Sequence, residues 1–149
     1  MVWGGISSHG KVGLVVIRGN MNGQRYRDEV LNAVVVPYIN NHPHRIIFQH
    51  DNARPHTARA TVRLLRENNV EVMQWPALSP DLSPIEHVWD ELGRRVRHRD
   101  PAPRNLQELE NCLLDEWQNL PMAVISRYIH SMRRRCDAVL ANHGGHTRY

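Results

Sequence analysis

The chain has 149 residues, 41% of them hydrophobic and 23% charged, which is the balance of a globular protein rather than a disordered one. That length suits one domain with a real core, is short for two, and contains nothing near the ~18–20 continuous apolar residues of a membrane helix. Nineteen basic against fifteen acidic residues leave a net charge of +4, and only Lys11 is a lysine, so nearly all the positive charge is guanidinium, whose planar fork matches phosphate oxygens.

Residues 2–6 and 14–17 are apolar and β-branched, and Ser7-Ser8-His9-Gly10 between them is turn-rich, so the spacing predicts a hairpin. Met1 to Gly5 has neither the basic nor the apolar stretch of a secretory signal. Asn22 is placed to cap a helix whose apolar residues Tyr26, Val30, Leu31, Val34 and Tyr38 recur at helical spacing up to Asn40, with Pro37 kinking or ending it. Residues 45–49 read as a short buried strand that runs into His50-Asp51-Asn52. Thr57 is expected to cap a helix carrying Ala58, Val62 and Leu65, and residues 70–75 form another strand. Ser83, with Pro84 at the first helical position, starts a helix with the stripe Ile85, Val88, Trp89, Leu92 and Val96.

After Pro101 and Pro103 only helical patterns remain. These are Leu106, Leu109, Leu113 and Trp117, then Val124, Ile125, Tyr128, Ile129, Met132, Val139 and Leu140. Trp75, Trp89 and Trp117 fall on apolar stripes and are expected in the core. The order of strands and helices argues an α/β sheet with a helical extension, divided at the prolines into 1–100 and 101–149 yet folding as one unit. Cys112 and Cys136 cannot build a disulfide framework, which favours a reducing compartment. With His143 and His146 they do not have zinc-ligand spacing.

Ligands of α/β sheets gather at the carboxyl ends of strands, where Asp51 sits, although an aspartate there also makes Asx turns. Glu86 lies about 100° from the centre of its helix's apolar stripe, at the edge of the buried face, with Asp90 and Glu91 further toward solvent. Two such carboxylates can share a divalent cation, and oxygen-only sites suit Mg2+ or Mn2+. Arg94, Arg95, Arg97 and Arg99 follow Glu86, and Arg133, Arg134 and Arg135 sit in the last helix. These are candidates for DNA phosphate contacts.

Two blocks carry a resemblance. Residues 49–58, Gln-His-Asp-Asn-Ala-Arg-Pro-His-Thr-Ala, and residues 79–96, Ser-Pro-Asp-Leu-Ser-Pro-Ile-Glu-His-Val-Trp-Asp-Glu-Leu-Gly-Arg-Arg-Val, resemble the signature blocks of mariner-like transposases of the Tc-one/mariner superfamily. The opening Met-Val-Trp-Gly-Gly-Ile-Ser and the closing Gly-Gly-His-Thr-Arg-Tyr resemble that family too. Thirty-four residues separate Asp51 from Glu86, the spacing of the second and third acidic residues of the family's Asp-Asp-Glu triad. The resemblance implies a ribonuclease-H-like fold, antiparallel strands followed by parallel ones, and a two-metal reaction that cuts and joins DNA. It makes Asp51 a bridging ligand of two Mg2+ or Mn2+ ions and Glu86 a ligand of the second. Asn52 and His56 would stand behind the ligands or touch DNA.

The family's first catalytic aspartate has no counterpart here, because the only carboxylates before His50 are Asp28 and Glu29, side by side on a helix. The family's helix-turn-helix DNA-binding region is absent as well. The expectation is therefore a catalytic core lacking its first, central strand, with weakened metal binding and no activity alone. The alternative is a non-catalytic remnant that binds DNA, forms a homodimer or pairs with an intact transposase. In a eukaryotic host the resemblance implies a nuclear location.

Overall fold

A computed structural model describes residues 1–145 and 147. His146, Arg148 and Tyr149, part of the closing segment, lie outside the described residues. The chain forms two compact units: residues 1–4 with 15–78, and residues 5–14 with 79–149. The helix that carries Glu86 therefore falls in the same unit as every helix after the prolines.

The first unit begins with β1 (Val2–Trp3) paired antiparallel to β4 (Val15–Val16), Val2 opposite Val16 and Trp3 opposite Val15. Asn22 caps the next helix, accepting from the Arg25 N–H at 2.9 Å. That helix begins as α1 (Gly23–Arg25), widens into a π-helical stretch (Tyr26–Val35) and finishes as α2 (Val36–Asn40). The wide winding runs up to Pro37, which has no N–H to give, and Val36 donates five residues back to the Leu31 carbonyl. Pro37 is thus absorbed rather than ending the helix. Tyr26, Val30, Leu31 and Val35 are buried with Leu65 and Val70, and Trp3, Ile39, Phe48 and Leu64 pack against them.

The expected buried strand over 45–49 is reduced to one parallel bridge. Phe48 N–H donates to the Glu71 carbonyl (2.8 Å), and Met73 N–H donates to the Phe48 carbonyl (2.9 Å). Among the described residues no further strand pairs with either segment, and Ile47, Val72 and Met73 are exposed. A short helical turn α3 (Arg54–Thr57) precedes α4 (Arg59–Glu67). Thr57 closes α3 instead of capping α4, which has no side-chain cap. The buried face of α4 is centred on Thr61 and Leu65, with Val62 outside it. The Thr61 hydroxyl escapes an unpaired burial by donating to the Pro55 carbonyl at 2.8 Å.

The second unit holds the hairpin tip, β2 (Ile6–Ser7) opposite β3 (Gly10–Lys11). The hairpin is thus stepped, broken at Gly4-Gly5 where strand propensity is lowest. Ser7 Oγ accepts from the His9 and Gly10 N–H groups at 3.1 Å and shapes the turn. Beyond a tight turn at Pro80–Leu82 come α5 (Pro84–Arg97), α6 (Leu106–Asn119), α7 (Met122–His130) and α8 (Met132–Ala141). Asn105 and Glu108 form a reciprocal cap on α6: Asn105 Oδ1 accepts from the Glu108 N–H at 2.9 Å, and Glu108 accepts from the Arg104 N–H at 2.7 Å.

Val88, Leu92, Trp117, Leu120 and Ile125 are the core of this unit. Trp89 stacks on Trp117 with centroids 5.2 Å apart, but Trp89, like Trp75 in the first unit, is only half-buried. Leu106 and Leu140 lie at helix ends and are exposed, beyond the reach of that core. The Lys11 ammonium donates to the Leu120 carbonyl at 2.6 Å and the Gln118 carbonyl at 3.0 Å, closing the end of α6. Trp117 Nε1 donates to the Val12 carbonyl at 2.8 Å. Among the described residues no helix is long and apolar enough to cross a membrane.

Candidate functional site

Asp51 stands three residues beyond Phe48, the one bridged residue of the expected strand. Its Oδ1 accepts from the Ala53 N–H at 2.9 Å, an Asx turn, and lies 2.6 Å from His56 Nδ1. Its side chain is 67% exposed while that of His56 is 16% exposed, so a largely covered ring holds an outward-facing carboxylate. No hydrogen bond reaches the second oxygen, Oδ2, among the described residues. The turn and catalytic readings of Asp51 are therefore compatible: one oxygen makes the turn and the other is presented.

Three further rings back this end. Tyr26 lies 4.2 Å from His56 between centroids, His50 lies 4.9 Å from His56, and Phe48 lies 4.9 Å from His50. The Tyr26 hydroxyl and His50 Nδ1 share a hydrogen bond of 3.2 Å. Burial, and secondly the neighbouring His56, lower the His50 pKa to about 4, against the opposing pull of Asp51. His50 is accordingly neutral at physiological pH. Burial, with Asp51 adding to it, pushes the Tyr26 phenol above its ordinary range. Asn52 turns away from Asp51, its Nδ2 donating to the Trp75 carbonyl at 2.8 Å and fastening the end of the neighbouring segment.

Glu86 stands on the first turn of α5, exposed. Pro84 occupies an early helical position, as expected. Ser83 precedes it, but its side chain makes no capping bond, and the Glu86 N–H reaches the Ser83 carbonyl at 3.2 Å instead. Asp51 and Glu86 thus belong to different compact units. Among the described residues no three His, Cys, Asp or Glu side chains gather as a metal-binding group.

Three of the four arginines after Glu86 are engaged internally. Arg94 pairs with Glu91 at 3.0 Å and Asp90 at 3.3 Å, and Arg95 pairs with Glu91 at 3.0 Å. Arg99 bridges Asp115 and Glu116 on α6, which raises its pKa above the ordinary guanidinium range. Arg97 is exposed and makes no ion pair among the described residues. Glu91, expected in solvent, is instead half-buried, because α6 brings Glu116 to that side and Arg95 lies between the two. Arg135 is a correction as well. It is buried at 1% exposure, while Arg133 and Arg134 face solvent.

Sequence reasoning missed Tyr26, His50 and the buried role of Arg135. Nothing near Tyr26 in sequence signals its partners, which lie 24 or more residues away. Arg135 did leave a signal: it lies between Met132 and Val139 at helical spacing, on the apolar side of its helix.

The arrangement matches known proteins. The DDE superfamily endonuclease model fits residues 1–110. The transposase of transposable element Tcb1 from Caenorhabditis briggsae is 36% identical over the whole chain, which covers 54% of that protein. The Tc1 transposase of Caenorhabditis elegans is 35% identical with the same coverage. The chain thus spans about half the length of the curated relatives it matches. Among solved structures, the catalytic domain of Mos1 transposase, solved with raltegravir and Mg, superposes with a TM-score of 0.83 at 27% identity. That match covers 99% of this chain and 76% of the Mos1 chain, and Mos1 itself is a mariner transposase of Drosophila mauritiana. The mixed α/β architecture is therefore the ribonuclease-H-like one of that catalytic domain. With the paired blocks around Asp51 and Glu86 and a family match over more than two thirds of its length, this chain belongs to the DDE superfamily endonucleases, close to the Tc1/mariner transposases.

Proposed function

We propose that Asp51 and Glu86 are two of the acidic residues with which a Tc1/mariner-type transposase binds divalent metal and cuts and joins DNA. The observation that carries this is the presentation of Asp51, whose Oδ1 is tied to Ala53 and His56 while Oδ2 faces outward. Carboxylate oxygens are the hard donors that Mg2+ and Mn2+ prefer, and the Mos1 catalytic domain has been solved with each of these metals. A pair of such ions, when bound, activates a water or a DNA 3′-hydroxyl and offsets the charge on the leaving oxygen. The chain's own residues orient: His56 aims the Asp51 carboxylate, Asn52 fastens the adjoining segment, and the Ser83-Pro84 start presents Glu86.

DNA is the proposed partner, supported by the Mos1 paired-end complex with the left transposon end. Arg97 is the readiest phosphate contact, whereas Arg94, Arg95 and Arg99 would have to exchange carboxylate partners for phosphate. Functionally we divide the chain into a catalytic core over 1–100, which holds both carboxylates, and a helical extension over 101–149 of the same domain. Transposition of nuclear DNA in a eukaryotic host places the protein in the nucleus.

This 149-residue chain supplies two acidic ligands. Of the earlier carboxylates, Glu29 is held by Arg25 at 2.5 Å, and Asp28 lies beside it on the same helix. We therefore expect no Mg2+-dependent cleavage of transposon-end DNA by the chain alone. Nicking that Asp51→Asn abolishes would overturn that expectation. In a complete transposase containing this segment, Asp51→Asn and Glu86→Gln should each abolish cleavage and leave DNA binding intact; cleavage by either variant overturns the assignment.

A further inference from the structure

The closing segment, conspicuous in the sequence, has no part in the chemistry above, and Arg135 is a charged side chain inside a core. The structure connects them. Arg135 Nε donates to Ser131 Oγ at 2.8 Å, and Nη1 donates to the backbone carbonyl of Asp81, also at 2.8 Å. The Asp81 side chain is itself buried at 7% exposure. Its Oδ2 accepts from Thr147 Oγ1 at 2.9 Å and from the Thr147 N–H at 3.3 Å.

The turn Pro80–Leu82 is thus gripped twice, on its backbone by Arg135 of α8 and on the Asp81 side chain by Thr147. A single 3-10 turn has little stability of its own, and a guanidinium is buried only where its hydrogen bonds are made. From this turn a short series of backbone bonds leads to Glu86. Leu82 N–H donates to the Ser79 carbonyl (3.3 Å), Ser83 N–H to the Pro80 carbonyl (2.9 Å) and Glu86 N–H to the Ser83 carbonyl (3.2 Å). Because the Ser83 side chain does not cap α5, the start of that helix depends on what holds the turn.

We infer that Arg135 and Thr147 are positioning residues for Glu86, acting through Asp81 and the Pro80–Leu82 turn. The inference rests on the reading of Glu86 as a metal ligand. It gives a role to residues beyond 110, where the family match ends.

The test is amide hydrogen exchange on the full chain, read at Leu82, Ser83 and Glu86 against Phe48 and Met73. Thr147→Val removes the hydroxyl donor while keeping the shape, Thr147→Ser retains the donor, and Arg135→Lys keeps the charge without the fork. Thr147→Val should speed exchange about tenfold at the three turn amides, Arg135→Lys should do at least as much, and Thr147→Ser should leave them unchanged. Phe48 and Met73 should not respond. Unaltered exchange at the turn in Thr147→Val, or equal acceleration at all five amides, overturns the proposal. Mn2+ titration followed by electron paramagnetic resonance separates this from the metal reading. If the wild-type chain binds Mn2+, Thr147→Val should weaken binding about tenfold and Thr147→Ser should not; equal affinities overturn the positioning role. If the wild-type chain binds no Mn2+, the metal reading of Glu86 in this chain fails, and the exchange rates alone decide whether Arg135 and Thr147 set the turn.

Discussion

Asp51 is fixed by residues within five positions of it, Ala53 and His56, whereas the turn that launches Glu86 takes its partners 54 and 66 positions away, from Arg135 and Thr147. The first carboxylate is a product of local turn chemistry backed by stacked rings. The second depends on an assembled helical core and on a buried cation. Local placement survives any change that preserves the 51–56 turn. Distal placement fails when a remote helix shifts, even though nothing near Glu86 has changed.

The strongest challenge to this contrast is Arg135→Met. It strips hydrogen bonds from the buried Ser131 hydroxyl and Asp81 carbonyl, so a loss of about 2–3 kcal/mol is expected in urea denaturation; a loss below about 0.5 kcal/mol would erase the contrast. Next comes the pH response of the Asp51 end. The folded pKa of His50, about 4, lies below the unfolded value of about 6.5, so the unfolded chain takes up the proton first as pH falls. Stability contributed by neutral His50 is complete above pH 6.5 and is lost progressively down to about pH 4. Allowing for solvent screening of a partly exposed ring, about 1–2 kcal/mol is at stake. His50→Phe should flatten that decline between pH 6.5 and 5, and an equally steep decline in the variant would remove His50 as its source.

Asn52→Ala should cost about 1 kcal/mol by releasing the Trp75 carbonyl, measurable by the same urea titration. Asp51→Asn should change stability by less than about 0.5 kcal/mol, since asparagine can make the same Asx turn and the side chain is largely exposed. A large loss there would show Asp51 to be structural. Smallest of all is Arg97→Ala, with no measurable effect on melting. If its guanidinium meets a phosphate, the variant should reduce the slope of log DNA affinity against log salt by about 0.9.

The contrast also accounts for what was legible in the sequence. The Asn22 cap and the stripe from Ile85 to Val96 follow from spacing and turn chemistry, and they recur in the structure. The assignments that depend on distant neighbours did not follow. Val62 lies on a helical stripe yet faces out because Thr61 finds the Pro55 carbonyl and takes its place inside. Glu91 lies outside the apolar stripe yet is half-covered because Arg95, one turn on in the same helix, pairs with it and reaches on toward Glu116 of α6. Residues 45–49 are as apolar as a central strand but make a single bridge, and periodicity cannot count the partners a strand will have. The ring cluster behind Asp51 was invisible for the same reason, because Tyr26 arrives from another helix.

The stepped hairpin also fixes where the chain can be divided. Its base strands β1 and β4 fall in the first unit and its tip in the second, so the first seventeen residues serve both. A boundary drawn at residue 79 looks natural on a linear map, but a fragment beginning there loses Lys11, which closes α6 at Gln118 and Leu120, and Val12, which accepts from the Trp117 indole. Such a fragment would lose both the acceptor of the Trp117 indole N–H and the cover that Ile6 and Leu14 give this core. A cut at that boundary therefore parts the unit of the Glu86 helix from residues 5–14, which complete its core.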